Sequence, residues 1–285
     1  MAVWLEVALN GGAGRKLQPN IPVTPDQIIQ DGVRCFEAGA AVLHIHVYDE
    51  TGKPTENADV YSVAIEGLRK RTDAIIYPTL MLQGTVAERF ASIETLGERG
   101  LLEWTVVDPG SVNITHNAML AQGRNGFLYA NPDDHLRRGL ALAEKFGLHP
   151  SYAIYEPGFA REGAALAAQF PKMPQPIYRL MLSSDFTFGL PPAVYSLDAY
   201  QQLLADVAPD APWMVASLGG DVMQIAEASL DRGAHLRVGL EDASLGCEKT
   251  NVELVEEAVA LIEKSGRNLA NVGEVRAELT GRNAA

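Results

Sequence analysis

His44 and His46 lie two apart in the run AVLHIHVYDE, residues 41–50, whose apolar alternation is that of a β-strand. Alternate residues of a strand share a face, so Val42, His44 and His46 project one way while Leu43, Ile45 and Val47 project the other. Two imidazoles side by side can each give a ring nitrogen to one ion, or they can pair by hydrogen bonds in a polar pocket. The polar stretch that follows, with Gly52 and Pro54, puts both histidines at the C-terminal end of their strand. Function gathers at such ends in α/β folds.

A catalytic zinc usually takes three protein ligands and keeps a position open, so a third group is required. Glu241, in the run Gly239-Leu240-Glu241-Asp242 that ends the strand predicted over 235–238, is the choice. In a closed barrel that strand neighbours the first, and the histidine strand lies just beyond. Glu241 and Asp242 could instead satisfy free N–H groups at a helix N-terminus. Asp242 beside a metal-bound carboxylate, with Arg237 five residues earlier, fits an acid–base group whose charge is set by a guanidinium; a salt bridge without catalytic purpose has the same signature. Thr79 offers a hydroxyl at the same mouth or simply ends its strand. Gly219-Gly220 would let helix N–H groups approach a phosphate, or form a turn.

The elements that must carry these residues alternate along the chain. Strands are predicted over 4–9, the histidine run, 74–79, 102–107, 151–155, 177–182, 213–217 and 235–238, with helices between them. Thr24-Pro25-Asp26-Gln27 is a capping signature opening the first helix, further helices fall at 60–70, 86–96, 133–146, 158–170 and 197–207, and Leu218-Gly219-Gly220-Asp221 opens the next. Asn251 is expected to cap the last long helix, with Leu254, Ala258 and Leu261 on one face. Residues 108–131 show no clear periodicity and read as an irregular loop, either a cover over the site or a surface excursion.

Eight strands each followed by a helix is the pattern of a (β/α)8 TIM barrel, with a doubly wound open sheet as the rival. The chain, residues 1–285, is long for one domain but within the span of such a barrel, and no linker composition interrupts it, so one domain is expected. Lys plus Arg number 23 against 36 Asp plus Glu, a net charge of −13, and no basic run offers a nucleic-acid groove. Two cysteines, Cys35 and Cys247, argue against a disulfide framework, and the N-terminal run has neither a basic leader nor the length of a membrane span. A cytoplasmic location is expected.

The runs QPNIPVTPDQ from Gln18, CFEAGAAVLHIHV from Cys35, EWTVVDPGSVN from Glu103, YEPG from Tyr155 and HLRVGLEDASL from His235 together resemble the β-keto acid cleavage enzymes, in order and over essentially the whole chain. The resemblance implies a zinc-dependent barrel that converts a β-keto acid plus acetyl-CoA into acetoacetate and a new acyl-CoA. It also implies His44, His46 and Glu241 as zinc ligands, Asp242 as the catalytic acid–base with Arg237 as its partner, Thr79 as a substrate-binding hydroxyl, and a homotetramer. Other readings of the same residues are a zinc aldolase or hydrolase that needs no CoA, and a non-catalytic metal- or ligand-binding barrel. Two imidazoles and one carboxylate also suit iron or cobalt.

The sequence departs from the family at two places. Members acting on an amino-bearing keto acid carry acidic residues at the positions of Ala13 and Ala153, which predicts a substrate without a primary amine, uncharged or hydroxylated. A quaternary ammonium held by Trp104, Tyr152 and Tyr155 is a further option beside core packing of those rings. The usual carboxylate anchor, a hydroxyl residue followed by glycines with a threonine on strand four, is here Thr79-Leu80-Met81-Leu82 with Val106.

Overall fold

A computed structural model describes residues 2–281. Eight parallel strands form one sheet: β1 (Leu5–Ala8), β2 (Val42–Ile45), β3 (Ile75–Pro78), β4 (Trp104–Val106), β5 (His149–Ile154), β6 (Ile177–Leu182), β7 (Trp213–Ser217) and β8 (His235–Val238). Hydrogen bonding runs in the order β3-β2-β1-β8-β7-β6-β5-β4, so the sheet curls into a nearly closed (β/α)8 barrel. The last seam, between β3 and β4, is packed by side chains, with the Tyr77 and Trp104 rings 5.7 Å apart. Seven strand positions agree with the sequence to within two residues, and the histidine run is shorter than expected, β2 ending at Ile45 while Val47–Tyr48 pairs with Pro54–Thr55.

A helix follows each strand and covers the barrel: α1 (Pro25–Glu37), α2 (Ala58–Arg69), α3 (Val86–Glu98), α4 (Asp133–Phe146), α5 (Pro157–Ala167), α6 (Val194–Val207), α7 (Met223–Asp231) and α8 (Asn251–Lys264). The capping box predicted for α1 forms, with Thr24 accepting from the Gln27 N–H while the Gln27 side chain accepts from the Thr24 N–H. Strands that face the barrel interior on one side and a helix on the other must be apolar on both, which is why β1, β2 and β5–β8 are buried almost throughout. A terminal helix, Val272–Leu279, closes the bottom: Glu278 accepts from the Trp4 indole N–H, and Arg276 grips Glu103 just before β4.

Three local expectations change. Residues 108–131 are not irregular: Val112–Ile114 and Phe127–Tyr129 form a hairpin around a short helix, Asn117–Ala121. Backbone bonds from Asn117 to the Asp185 carbonyl and from Thr187 to the Thr115 carbonyl strap this insert to the loop after β6. α7 begins at Met223, past the Gly219-Gly220 turn. α8 is capped by Thr250, whose box partner Glu253 stands three residues on, and its buried face is Asn251, Val255, Ala258 and Ile262. Asn251, freed from capping, is buried and ties the helix to the barrel top, accepting from Leu240 N and donating to the Leu9 carbonyl and to Asp31.

Candidate functional site

The C-terminal ends of β1, β2 and β8 converge. His44 is the third residue of β2 and His46 follows the strand, so both rings enter the mouth, edge-on to each other at 5.2 Å. Asn10, just past β1, fixes the second: its side-chain carbonyl accepts from His46 N at 2.9 Å and its amide donates to the His46 carbonyl at 2.9 Å. Glu241 arrives on the turn after β8, hung on β1 by a bond from its N–H to the Ala8 carbonyl. Gly239, at φ +131°, makes that approach possible, because a Cβ there would lie 2.2 Å from the Ala8 carbonyl oxygen. Gly11, at φ +59°, does the same for the side chain, since its Cβ would meet Glu241 Cγ at 2.7 Å.

His44 Nε2 stands 3.4 Å from Glu241 Oε2, and His46 Nε2 stands 3.3 Å from Oε1. All three residues present a ligand atom within 4.8 Å of the others. An ion bound tetrahedrally with bonds of about 2.0–2.1 Å holds its ligand atoms about 3.4 Å apart, and each imidazole stands at about that distance from one of the two Glu241 oxygens. Glu241 Oε2 is buried with no hydrogen-bond donor among the described residues, which fits an atom reserved for a cation. Burial pushes His44 well below the usual histidine range and leaves its imidazole neutral. Burial opposes the charge on Glu241, but His44, His46 and the Arg237 guanidinium outweigh it and hold the carboxyl well below its ordinary range. Neutral imidazole and ionised carboxylate are the forms a divalent ion binds.

Asp242 is gripped by a guanidinium fork: Arg237 Nε donates to Oδ2 at 2.6 Å and Nη2 to Oδ1 at 2.9 Å. Burial lifts the Asp242 carboxyl above its ordinary range, with Arg237 pulling the other way. A carboxylate has about four lone-pair sites, so two remain for a substrate proton. Arg237 Nη2 also lies 3.3 Å from Glu241 Oε1, and its Nη1 donates to Glu6 at 2.9 Å.

Glu6 belongs to a layer beneath the mouth that sequence reasoning missed. The Tyr77 hydroxyl donates to Glu6 at 2.6 Å, and Arg179, reaching across from β6, donates to that hydroxyl from Nη1 at 2.8 Å. Asp108, just past β4, accepts from the Tyr129 hydroxyl at 2.7 Å and from Ala153 N at 2.9 Å. The available signal was a charged residue inside an otherwise apolar strand, Glu6 in LEVA and Arg179 in IYRLML. Four carboxyls, Glu6, Asp108, Glu241 and Asp242, thus face the buried guanidiniums of Arg179 and Arg237, with that of Arg89 also acting on Asp108.

Other sequence candidates fall out differently. Thr79 sits at the top of β3, half-buried, with its N–H on the Ile45 carbonyl. The N–H groups of Gly219 and Gly220 both point at the Asp242 carbonyl, at 2.7 and 3.4 Å, so they serve the turn and not a phosphate. Trp104 packs against Trp4 and Tyr77 in the barrel floor, and Tyr152 faces outward onto α5 and Tyr178; only Tyr155 lies among the charged groups of the mouth. The three rings therefore form no single cage.

Residues 2–280 match the protein family described as beta-keto acid cleavage enzyme. The chain is 28% identical to a 3-oxoadipate:acetyl-CoA acetyltransferase of Cupriavidus necator, over 96% of this chain and 93% of that protein. It is 27% identical to a 3-keto-5-aminohexanoate cleavage enzyme of Fusobacterium nucleatum, over 90% of each, and 26% identical to a 3-dehydrocarnitine:acetyl-CoA trimethylamine transferase of Rhizobium meliloti, over 94% and 93%. Among solved structures, apo ObcA superposes with a TM-score of 0.76 at 17% identity, covering 92% of this chain and 66% of ObcA, which shows a shared fold.

Proposed function

This chain belongs to the β-keto acid cleavage enzyme family, and from that premise we propose that it converts a β-keto acid and acetyl-CoA into acetoacetate and a new acyl-CoA. The observation that carries the reading is the adjacency of two chemistries on one turn: Glu241 completes the His44–His46 ligand set, and the next residue, Asp242, is a buried carboxylate oriented by Arg237. His44, His46 and Glu241 would hold zinc, which when bound supplies Lewis-acid polarisation of a ketone oxygen, an effect of several kcal/mol.

Asp242 takes the proton from the carbon between ketone and carboxylate, and the Arg237 fork keeps its oxygens turned toward that carbon. The carbanion attacks the acetyl thioester and releases CoA thiolate. The thiolate attacks the original ketone carbon, the carbon–carbon bond breaks, and Asp242 returns its proton to the departing carbanion as acetoacetate forms. Thr79 reaches the substrate from the top of β3. A primary amine on the substrate would find Ala13 and Ala153 where a carboxylate partner is needed, so the keto acid lacks one. Two of the relatives have names that carry no primary-amine substrate, which fits. No described helix is long and apolar enough to cross a membrane, and Cys35 and Cys247 are both free. The cytoplasmic homotetramer implied by the family resemblance is to be tested by light scattering.

The test is an assay of zinc-loaded protein with short β-keto acids, with and without acetyl-CoA, following acetoacetate and acyl-CoA. Turnover that needs both partners, with the amino-bearing acid inactive, is expected. Turnover without acetyl-CoA would replace this reading with a CoA-independent aldolase or hydrolase.

A further inference from the structure

We infer that Arg179 is the cation that receives a carboxylate of the substrate in the floor of the site, an inference that rests on the reaction proposed above. Arg179 enters the barrel from β6, its side chain only 5% exposed. Its Nη1 meets the Tyr77 hydroxyl and Glu6, the same two groups that Arg237 Nη1 meets, which places it under the mouth beside the β8 turn.

The guanidinium is incompletely used. Nη1 donates to the Tyr77 hydroxyl and lies 3.6 Å from Glu6, while Nε is buried with no partner among the described residues. A buried charged donor left unpaired is costly, and the planar edge it presents is shaped for a carboxylate. Arg237, the other guanidinium of the cluster, has Nε and Nη2 committed to Asp242 and Nη1 to Glu6.

The surrounding residues leave this task open. Leu80, Met81, Leu82 and Val106, at the tops of β3 and β4, have no side-chain hydrogen-bond donor, so apart from the Thr79 hydroxyl no side chain at these strand tops can pair with an anion. The register neighbour of Arg179 on β5 is Ala153, whose methyl group offers the guanidinium no polar partner. Asp108, the nearby acid, is already occupied by the Tyr129 hydroxyl and the Ala153 N–H.

A carboxylate could come from the reacting end, present in every β-keto acid, or from a second acid group at the far end. Calorimetric titration of zinc-loaded wild type and Arg179→Met with acetoacetate and with dicarboxylic 3-oxoadipate, without acetyl-CoA, separates the two. Weakening of both by tenfold or more, at unchanged metal content, assigns Arg179 to the reacting end; weakening of 3-oxoadipate alone assigns it to the far end. Affinities within twofold of wild type for both ligands overturn the inference. Where Arg179→Met does not fold, arginine Nε–H signals of ¹⁵N-labelled wild type decide: acetoacetate or 3-oxoadipate should move one signal that Arg179→Lys lacks, and an unmoved signal overturns the inference. Because these measurements need no turnover, a protein that binds through Arg179 yet transfers no acyl group would defeat the proposed reaction and leave the anion site standing.

Discussion

Glu241 and Asp242 are sequence neighbours in different surroundings, and their partners set them apart. Glu241 faces two imidazoles and keeps one buried oxygen without a donor, whereas Asp242 has both oxygens on one guanidinium. Substitution should separate them cleanly. Glu241→Gln is expected to drop bound zinc from about one equivalent to below about a tenth, read by elemental analysis, because a neutral amide is a poor ligand for a divalent ion. Asp242→Asn is expected to keep its zinc while losing about 10²–10⁴-fold in kcat, the usual worth of a positioned base; retained turnover would remove Asp242 from that role. These residues were legible because their spacing is local: two histidines two apart, and Arg-x-Gly-x-Glu-Asp on one turn. Glu6, Tyr77 and Arg179 were not, since Glu6 meets Arg237 across 231 positions of chain and Tyr77 meets Arg179 across 102. Nothing in the local pattern of β1 or β6 states which way a single charged residue turns or what answers it.

The β8 turn delivers its side chains only because three other elements hold it. Asn251 of α8 anchors Leu240, Gln18 donates to the Leu240 and Ser244 carbonyls, and Gly11 yields the space that Glu241 fills. Gly11→Ala therefore combines a left-handed backbone with a methyl group 2.7 Å from Glu241 Cγ. We expect this variant to bind zinc at least about tenfold more weakly, as losses in supporting contacts do, with the barrel's circular dichroism unchanged; unaltered zinc affinity would show that the turn can shift without cost. Element types and most boundaries were readable because both apolar periods and capping signals are strong here. The insert after β4 was not, since its hairpin strands are three residues each and Phe127 and Leu128 lie exposed, so no burial pattern marks them. At α8 both Thr250 and Asn251 are good caps, and the tie is broken by Glu253 standing three residues after Thr250.

For the molecule as a whole, an ion held by His44, His46 and Glu241 would couple stability to the metal. If zinc binds there, chelation should lower Tm by about 5 °C or more relative to protein at zinc concentrations near a hundred times Kd, by mass action on the folded state. An identical Tm with and without chelator would mean that the three ligands hold no ion. Acid should act at the opposite end of the barrel. His235 lies under the floor, stacked on Trp4 at 4.0 Å, with its Nδ1 already accepting the Trp4 N–H, and burial pushes it below the usual histidine range. The unfolded chain takes up a proton below pH about 6.5 while the folded site does not, so stability falls with pH by up to about 1.4 kcal/mol per unit until the folded value is reached. His149 and His44 work in the same sense, and Glu56, pushed up to about 7 by burial, works against them. Denaturation of chelator-treated protein between pH 7 and 5.5 should show a shallower slope in His235→Asn than in wild type; equal slopes would clear His235 of this role.

The seam between β3 and β4, closed by Tyr77 against Trp104 and not by a ladder of backbone bonds, makes one side of the barrel compliant. Amide hydrogens on the facing edges of those strands should exchange with solvent soonest of all the barrel strands. Thr79 rides at the top of that stave, and a ligand spanning from Thr79 to the β8 turn would act as the missing hoop. Slowed exchange along β3 on ligand binding would then record, without any turnover, the moment at which the barrel is drawn shut.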